Sequence, residues 1–182
     1  MATTDATLVL GVLNGDRSAI AELYDRRARL VRAVCFDVTR DLHSAADLTQ
    51  EVFLRAYRSL GALHDPHKFA AWLVGIARQV CREWRRGRLR EQSGFARLVA
   101  HSEAAETEER MDQPEERILM LRDAMTSLPE KERLALHAFY LREQDVEEAR
   151  AVLGLSRSGL YRVLSCARQR LRRLLSKQEA SS

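Results

Sequence analysis

Apolar residues recur along this chain at intervals of three and four rather than two, the period of a helix with one buried face. From Ile20 the stripe continues through Leu23, Tyr24, Val31, Val34, Cys35 and Val38. Gly15-Asp16 just ahead of it offers a carboxylate to the free amides of a first helical turn. A shorter helix over about Thr7 to Leu13 precedes it. After a polar break at 39–43, Leu48, Val52, Ala56 and Leu60 predict a helix over about 45–60, with Ser44 as its cap and Asp47 three residues on. Asp65-Pro66 interrupts the pattern, because proline drives the residue before it out of the helical region. A third long helix begins near Lys68, with Phe69, Leu73, Ile76, Val80 and Trp84 on one face and Arg78, Arg82 and Arg85 nearly opposite.

Periodicity fades between about Gln92 and Pro114, where Phe95, Leu98 and Val99 are the only apolar cluster, and returns with Ile118, Leu121, Met125 and Leu128. Leu128-Pro129-Glu130 opens another helix, with proline in the first turn, where a missing amide costs nothing. A short helix over Val146–Leu153, a turn at Gly154-Leu155-Ser156 and a long terminal helix carrying Leu160, Leu164, Ala167, Leu171 and Leu174 complete the pattern. Only 8 Gly and 3 Pro punctuate the 182 residues, and Ala, Leu, Arg and Glu dominate, which lowers the entropic cost of helix. The expected fold is all-α. Two small helical domains, 1–91 and 117–177, are joined by an acidic linker at 92–116 and followed by a tail at 178–182.

The formal net charge is only +4, but the charge is unevenly spread. Arg82, Arg85, Arg86, Arg88 and Arg90 form one basic cluster, and Arg168, Arg170, Arg172, Arg173 and Lys177 another. Glu103, Glu106, Glu108, Glu109, Asp112, Glu115 and Glu116 lie between them. Two basic patches flanking an acidic connector suit two contacts with a polyanion, although solvated helix faces would read the same way. Cys35, Cys81 and Cys166 are far apart, without the close spacing of a zinc or redox pair, and read as buried thiols in a reducing cytosol. The five histidines show no ligand spacing beyond His64 and His67 in one loop, and neither a phosphate loop nor a nucleophile elbow is present. No cofactor, metal site or catalytic constellation is expected. The opening residues lack a secretory pattern and no apolar run reaches the ~18 residues of a membrane span, so a cytoplasmic location without membrane insertion is expected.

A helix, a tight glycine turn and a second helix rich in Arg and hydroxyl groups form a helix-turn-helix pattern. Ser156 can cap the second helix; Arg157, Ser158, Tyr161, Arg162 and Ser165 lie on its accessible side, and Arg168 and Arg172 continue toward flanking phosphates. Arginine suits this work because its planar fork bonds two acceptors at once. The words Ser127-Leu128-Pro129-Glu130-Lys131-Glu132-Arg133, Val146-Glu147-Glu148-Ala149, Leu153-Gly154-Leu155-Ser156 and the closing Ala167-Arg168-Gln169-Arg170-Leu171-Arg172 resemble region 4 of sigma-70 family factors, which recognises the −35 promoter element. Gly159-Leu160-Tyr161-Arg162-Val163 departs from that family's usual Thr-Val-Lys-Ser-Arg. Arg150 stands where a small residue is usual at the helix crossing, so it has to extend outward.

The first half resembles sigma region 2. Gly15-Asp16 through Leu23-Tyr24 is similar to its opening, Asp47-Leu48-Thr49-Gln50-Glu51-Val52-Phe53-Leu54-Arg55-Ala56-Tyr57 to region 2.2, Phe69-Ala70-Ala71-Trp72-Leu73-Val74-Gly75-Ile76-Ala77-Arg78 to the start of the promoter-melting helix, and Arg85-Arg86-Gly87-Arg88 to its basic end. The short spacing between the two regions points to the extracytoplasmic-function (ECF) group.

The resemblance implies a non-enzymatic initiation factor that binds core RNA polymerase, through the β′ clamp helices and the β flap, and promoter DNA, and that is commonly held by an anti-sigma factor. Its polymerase-binding residues would be Asp47, Gln50, Glu51, Phe53 and Leu54, with Asp47, Gln50, Glu51 and Arg55 outside the core and Phe53 and Leu54 near its edge. For the −10 element they would be His64, Lys68, Ala70, Trp72, Arg78, Arg82 and Arg85, the loop capturing a flipped base and the arginines holding the strand. Trp72 reads more simply as a core residue. The −35 residues would be Arg157, Ser158, Tyr161, Arg162, Ser165 and Arg168. The alternatives are a sigma-like interaction protein and a helix-turn-helix regulator without promoter-melting activity.

Overall fold

The computed structural model describes residues 3–95, 113–141 and 145–179; the expected apolar cluster at Leu98 and Val99 and most of the acidic linker lie outside the described residues. The described chain forms α1 (Asp5–Leu13), α2 (Arg17–Thr39), α3 (Leu42–Ser59), α4 (Phe69–Phe95), α5 (Gln113–Thr126), α6 (Glu130–Tyr140), α7 (Val146–Leu153) and α8 (Arg157–Glu179), with single 3-10 turns at Leu60–Ala62 and Pro66–Lys68. The described residues contain no strand.

The first four helices pack around one apolar cluster containing Val9, Leu23, Val31, Cys35, Val52, Phe69, Leu73 and Val80. Each start has a chemical cause. Asp16 accepts the Ser18 amide at 2.8 Å, as its position predicts. Asp65 accepts the His67 amide at 3.0 Å with Pro66 next in the chain, setting the turn that leads into α4. The cap of α3 is Asp41, not Ser44: its carboxylate accepts the Ser44 amide at 2.7 Å, so Ser44 is already inside the helix. The Asp41 carboxyl is held below its ordinary value by these Ser44 hydrogen bonds. Arg40 between the two helices adopts the left-handed conformation at φ 58°, which turns the chain without a glycine.

A second cluster holds the later helices together through Leu134, Ala135, Phe139, Ala149, Val152, Leu160, Leu164 and Ala167. Proline 129 stands one position earlier than the first helical turn, at the cap of α6. Gly154 closes α7 in the left-handed conformation at φ 63°, where a side chain would be strained. Leu30, Ala70 and Val74, which belong to α2 and α4, are also part of this second cluster.

Candidate functional site

In its second half α3 presents exposed apolar surface through the helical spacing of Gln50, Leu54 and Tyr57. Leu54 is 50% and Tyr57 55% exposed. With Ile20, Tyr24 and Phe53 they line a shallow, mostly apolar groove. Asp47 and Gln50 are exposed beside it. Phe53, expected near the edge, is instead buried at 7%, its ring 4.7 Å from that of Tyr24, so it forms the groove floor. Glu51 and Arg55 do not simply face solvent either. Arg55 donates to Glu51 and to Glu83 of α4, each at 2.6 Å, and Glu83 is held below the ordinary carboxylate value chiefly by that bond from Arg55. Tyr57 and the α2 residues Ile20 and Tyr24 were not among the expected contacts; the i, i+4, i+7 spacing of Gln50, Leu54 and Tyr57 was the available signal.

The loop before α4 leaves His64 and Lys68 exposed, with Lys68 3.5 Å from Asp65. Trp72 is half-buried, its ring 6.1 Å from Phe69, and so belongs mainly to the core. Ala70 is buried at 4%, against its expected place on a DNA-reading surface, because α7 packs over the start of α4. Arg82 and Arg85 are exposed, whereas Arg78 is half-buried and donates to Glu130 of α6 at 2.5 Å. These three arginines, with Val34, Asp37, Val38, Cys81, Glu130, Arg133 and Leu134, line a cavity of about 230 Å³. The buried Cys35 thiol, which pairs with the lining Cys81, is pushed up by hydrogen bonding to Cys81 and by burial. The expectation of buried thiols is met at Cys35 and Cys81 but not at Cys166, which is exposed on α8.

In the helix-turn-helix, Ser156 Oγ accepts the Gly159 amide at 3.1 Å, the expected cap of α8. Arg157, Ser158, Tyr161, Arg162 and Ser165 are all exposed on one side of α8. Arg168 stands apart from them. Its guanidinium lies 5.6 Å from the centres of both the Phe139 and Tyr140 rings, and its Nε donates to the Tyr140 hydroxyl at 3.1 Å. Arg150 does extend outward, donating to Glu147 at 2.6 Å and to the Leu155 carbonyl at 3.2 Å, while the fully buried residue is the neighbouring Ala149. Among the described residues there is no cluster of His, Cys, Asp and Glu able to hold a metal, and no helix is long and apolar enough to cross a membrane.

Residues 23–91 match the family model for sigma-70 region 2. SigM of Bacillus subtilis (strain 168), an ECF RNA polymerase sigma factor, is 30% identical over 158 residues, covering 87% of this chain and 96% of that protein. The chain belongs to the ECF group of the sigma-70 family. RfaY of Xanthomonas campestris pv. campestris, described as a probable RNA polymerase sigma factor, is 33% identical over 87% of this chain, which spans only 40% of RfaY's length. The fold also matches solved structures at 21% identity. These are CnrH in complex with the cytosolic domain of CnrY (TM-score 0.61, covering 95% of this chain and 97% of that one) and the sigma factor RpoE in complex with the anti-sigma factor NepR from Bartonella quintana (0.55, 86% and 96%). Family membership makes the chain a transcription initiation factor of the promoter-directing kind.

Proposed function

We propose that this ECF sigma factor joins core RNA polymerase through the exposed face of α3 and carries it to promoters read by α4 and α8. The carrying observation is the groove at Gln50, Leu54 and Tyr57. Exposed apolar side chains on a rigid helix, beside exposed Asp47, offer a dry centre with a polar rim, the form of a specific protein interface. The partner is the β′ clamp helices, with a second contact to the β flap. Phe53 acts by holding the groove floor, and Glu51 through its bond to Arg55.

His64, Lys68, Trp72, Arg78, Arg82 and Arg85 then serve the −10 element, with Ala70 at the centre of that surface once it is uncovered. The arginines hold the strand backbone while a base leaves the stack, at a cost of a few kcal/mol. Arg157, Ser158, Tyr161, Arg162 and Ser165 enter the −35 major groove, and Arg168 supports α8 from its aromatic stack. On this reading residues 1–91 and 117–177 are the two working domains, 92–116 joins them and 178–182 is a tail. The chain works in the cytoplasm without cofactor or metal, an anti-sigma factor restrains it, and bond making in RNA belongs to the polymerase.

In vitro transcription with purified core polymerase on a promoter library tests this directly. Defined start sites that depend on the chain are expected. Absence of any chain-dependent start site, with no co-migration with core polymerase at low salt, would overturn it.

A further inference from the structure

The two buried cysteines take no part in the polymerase or promoter contacts, yet they meet each other. Cys35 of α2 is 0% and Cys81 of α4 3% exposed, both within the apolar cluster of the first four helices. Their thiols are hydrogen-bonded to each other across the α2–α4 contact, and neither is in a disulfide. Thiols sealed inside a core are ordinarily inert. Here the seal is open on one side. The cavity of about 230 Å³ is walled by α2 at Val34 and Val38 and by α4 at Arg78, Cys81, Arg82 and Arg85. One water needs only about 10–15 Å³ of such space, so a molecule as small as hydrogen peroxide fits against Cys81 without displacing the walls.

The two sulfurs are not equivalent. The Cys81 thiol is held below its ordinary value, first by the hydrogen bond from Cys35 and then, against the cost of burial, by the positive charge of Arg85. The Cys35 thiol is pushed the other way by the same bond and by burial. One proton shared between two sulfurs accounts for both directions: Cys35 S–H donates, and Cys81 accepts as a thiolate. Asp37 and Glu130 also face the cavity and oppose a second negative charge there. Arg133 pairs with Asp37 and Arg78 with Glu130, which offsets them and leaves the surroundings of Cys81 electropositive. A thiolate in an electropositive cavity, beside a second thiol, is the arrangement of a peroxide-reactive pair.

We propose that Cys81 and Cys35 form an oxidation site for hydrogen peroxide, with Cys81 the attacking thiolate and Cys35 the thiol that closes a disulfide between α2 and α4. The Cys81 sulfur bonds to one peroxide oxygen, the O–O bond breaks and hydroxide leaves, giving a sulfenic acid on Cys81. That hydroxide takes the Cys35 proton and departs as water. The Cys35 sulfur then bonds to the Cys81 sulfur, and the S–O bond breaks. The displaced hydroxide takes up the proton that Cys81 had given to solvent, making the second water. Two electrons pass from the two sulfurs to the peroxide, and nothing else is consumed. In a reducing compartment such a bond is transient, as sensing disulfides are. The inference does not depend on how the chain is used at promoters.

The test uses the full reduced chain. Limiting hydrogen peroxide is added, catalase stops the reaction, and remaining thiols are alkylated in denaturant before intact mass and non-reducing peptide mapping. A Cys35–Cys81 link within one chain is expected, formed before the exposed Cys166 is oxidised and reversed by dithiothreitol. In a Cys166→Ser protein, where cysteine cross-links between chains through α8 cannot form, both remaining thiols should disappear and the mass should fall by two hydrogens. Cys35→Ala is expected to stop at a sulfenic acid on Cys81 that dimedone traps, and Cys81→Ala to leave Cys35 a thiol. Arg85→Gln should move the pH profile of the oxidation rate to higher pH, and Arg85→Lys should return it. If either alanine variant loses helicity by circular dichroism, the Cys166→Ser protein alone decides. Oxidation of Cys166 while Cys35 and Cys81 remain open to alkylation would overturn the proposal. So would an oxidised Cys81 that forms no link to Cys35.

Discussion

The rings of Tyr24 and Phe53 lie 4.7 Å apart at 57°, joining α2 to α3 beneath the groove that Leu54 and Tyr57 border. Two adjacent residues of one motif therefore do different work. Phe53 supports the surface, and Leu54 is the surface.

Truncation separates these roles. Phe53→Ala removes a buried ring and is expected to cost about 3–5 kcal/mol of stability. Leu54→Ala, half exposed, should leave the melting temperature within about 2 °C while weakening core-polymerase binding. Thermal denaturation together with a competition assay against core polymerase checks the pair. Asp47→Ala/Gln50→Ala should behave like Leu54→Ala, with unchanged helicity. Unchanged competition by both would remove this face from the interface.

The two arginines of α8 should divide in the same way. Arg162 is exposed on the side of α8 proposed to enter the −35 groove, so Arg162→Ala is expected to change preference among −35 variants, by about 1–3 kcal/mol at any base it contacts. Arg168 is tied to Tyr140 and the Phe139 ring, so Arg168→Ala should lower the melting temperature and reduce activity evenly on every promoter. Transcription from a set of −35 variants distinguishes a changed order of preference from a uniform loss.

Much of this is legible in the sequence alone, for reasons that differ by residue. The bounds of α7 and the capping role of Ser156 follow from local chemistry, a short amphipathic run of 8 residues ended by a glycine in the left-handed conformation and a hydroxyl placed to cap the next helix. The cap of α3 was not decidable that way, because Asp41 and Ser44 are both good caps three residues apart and only the backbone shows which one accepts the amide. Periodicity alone puts Phe53 at the edge, whereas the structure buries it, because the buried face of α3 is wider than the Leu48-Val52-Ala56-Leu60 stripe and takes in Ala45 and Thr49 as well. The burial of Ala70 is a different case. Nothing within α4 hides it; a helix some eighty residues later does, and helical periodicity carries no information about such a partner.

The turn of the helix-turn-helix should be sensitive at two points. Gly154→Ala forces a side chain into the left-handed region, at about 1–2 kcal/mol. Ser156→Ala removes the cap on α8, at about 1 kcal/mol. Gly159→Ala tests the same cap from the other side, because its new methyl would sit 3.1 Å from Ser156 Oγ and push the hydroxyl aside. Lower melting temperatures are expected for Gly154→Ala and Ser156→Ala, whereas in Gly159→Ala the displaced cap is opposed by the roughly 1 kcal/mol that alanine gains over glycine in a helix. A Ser156→Ala/Gly159→Ala double variant should lose less than the sum of the singles, since the second change acts on a bond already gone.

The Arg55–Glu83 bond provides a pH-dependent signature in the first half of the chain. Glu83 carries a carboxyl depressed below its ordinary 4.5, chiefly by the hydrogen bond from Arg55 and then by one from Gln79. A carboxyl depressed on folding stabilises the protein above the unfolded value, and that contribution disappears as pH falls through the lower folded value. Glu83→Gln is therefore expected to melt below the wild type near neutral pH and to converge with it on acidification well below pH 4.5. Arg55 and Glu83 are each 36% exposed, so solvent screens the pair, and a difference of only about 0.2–1 kcal/mol is expected, shrinking further in molar salt. Melting curves of both proteins across that pH range check the sign. A gap that stays constant into acid would mean that the Glu83 charge contributes nothing and that packing at the α3–α4 contact sets the difference.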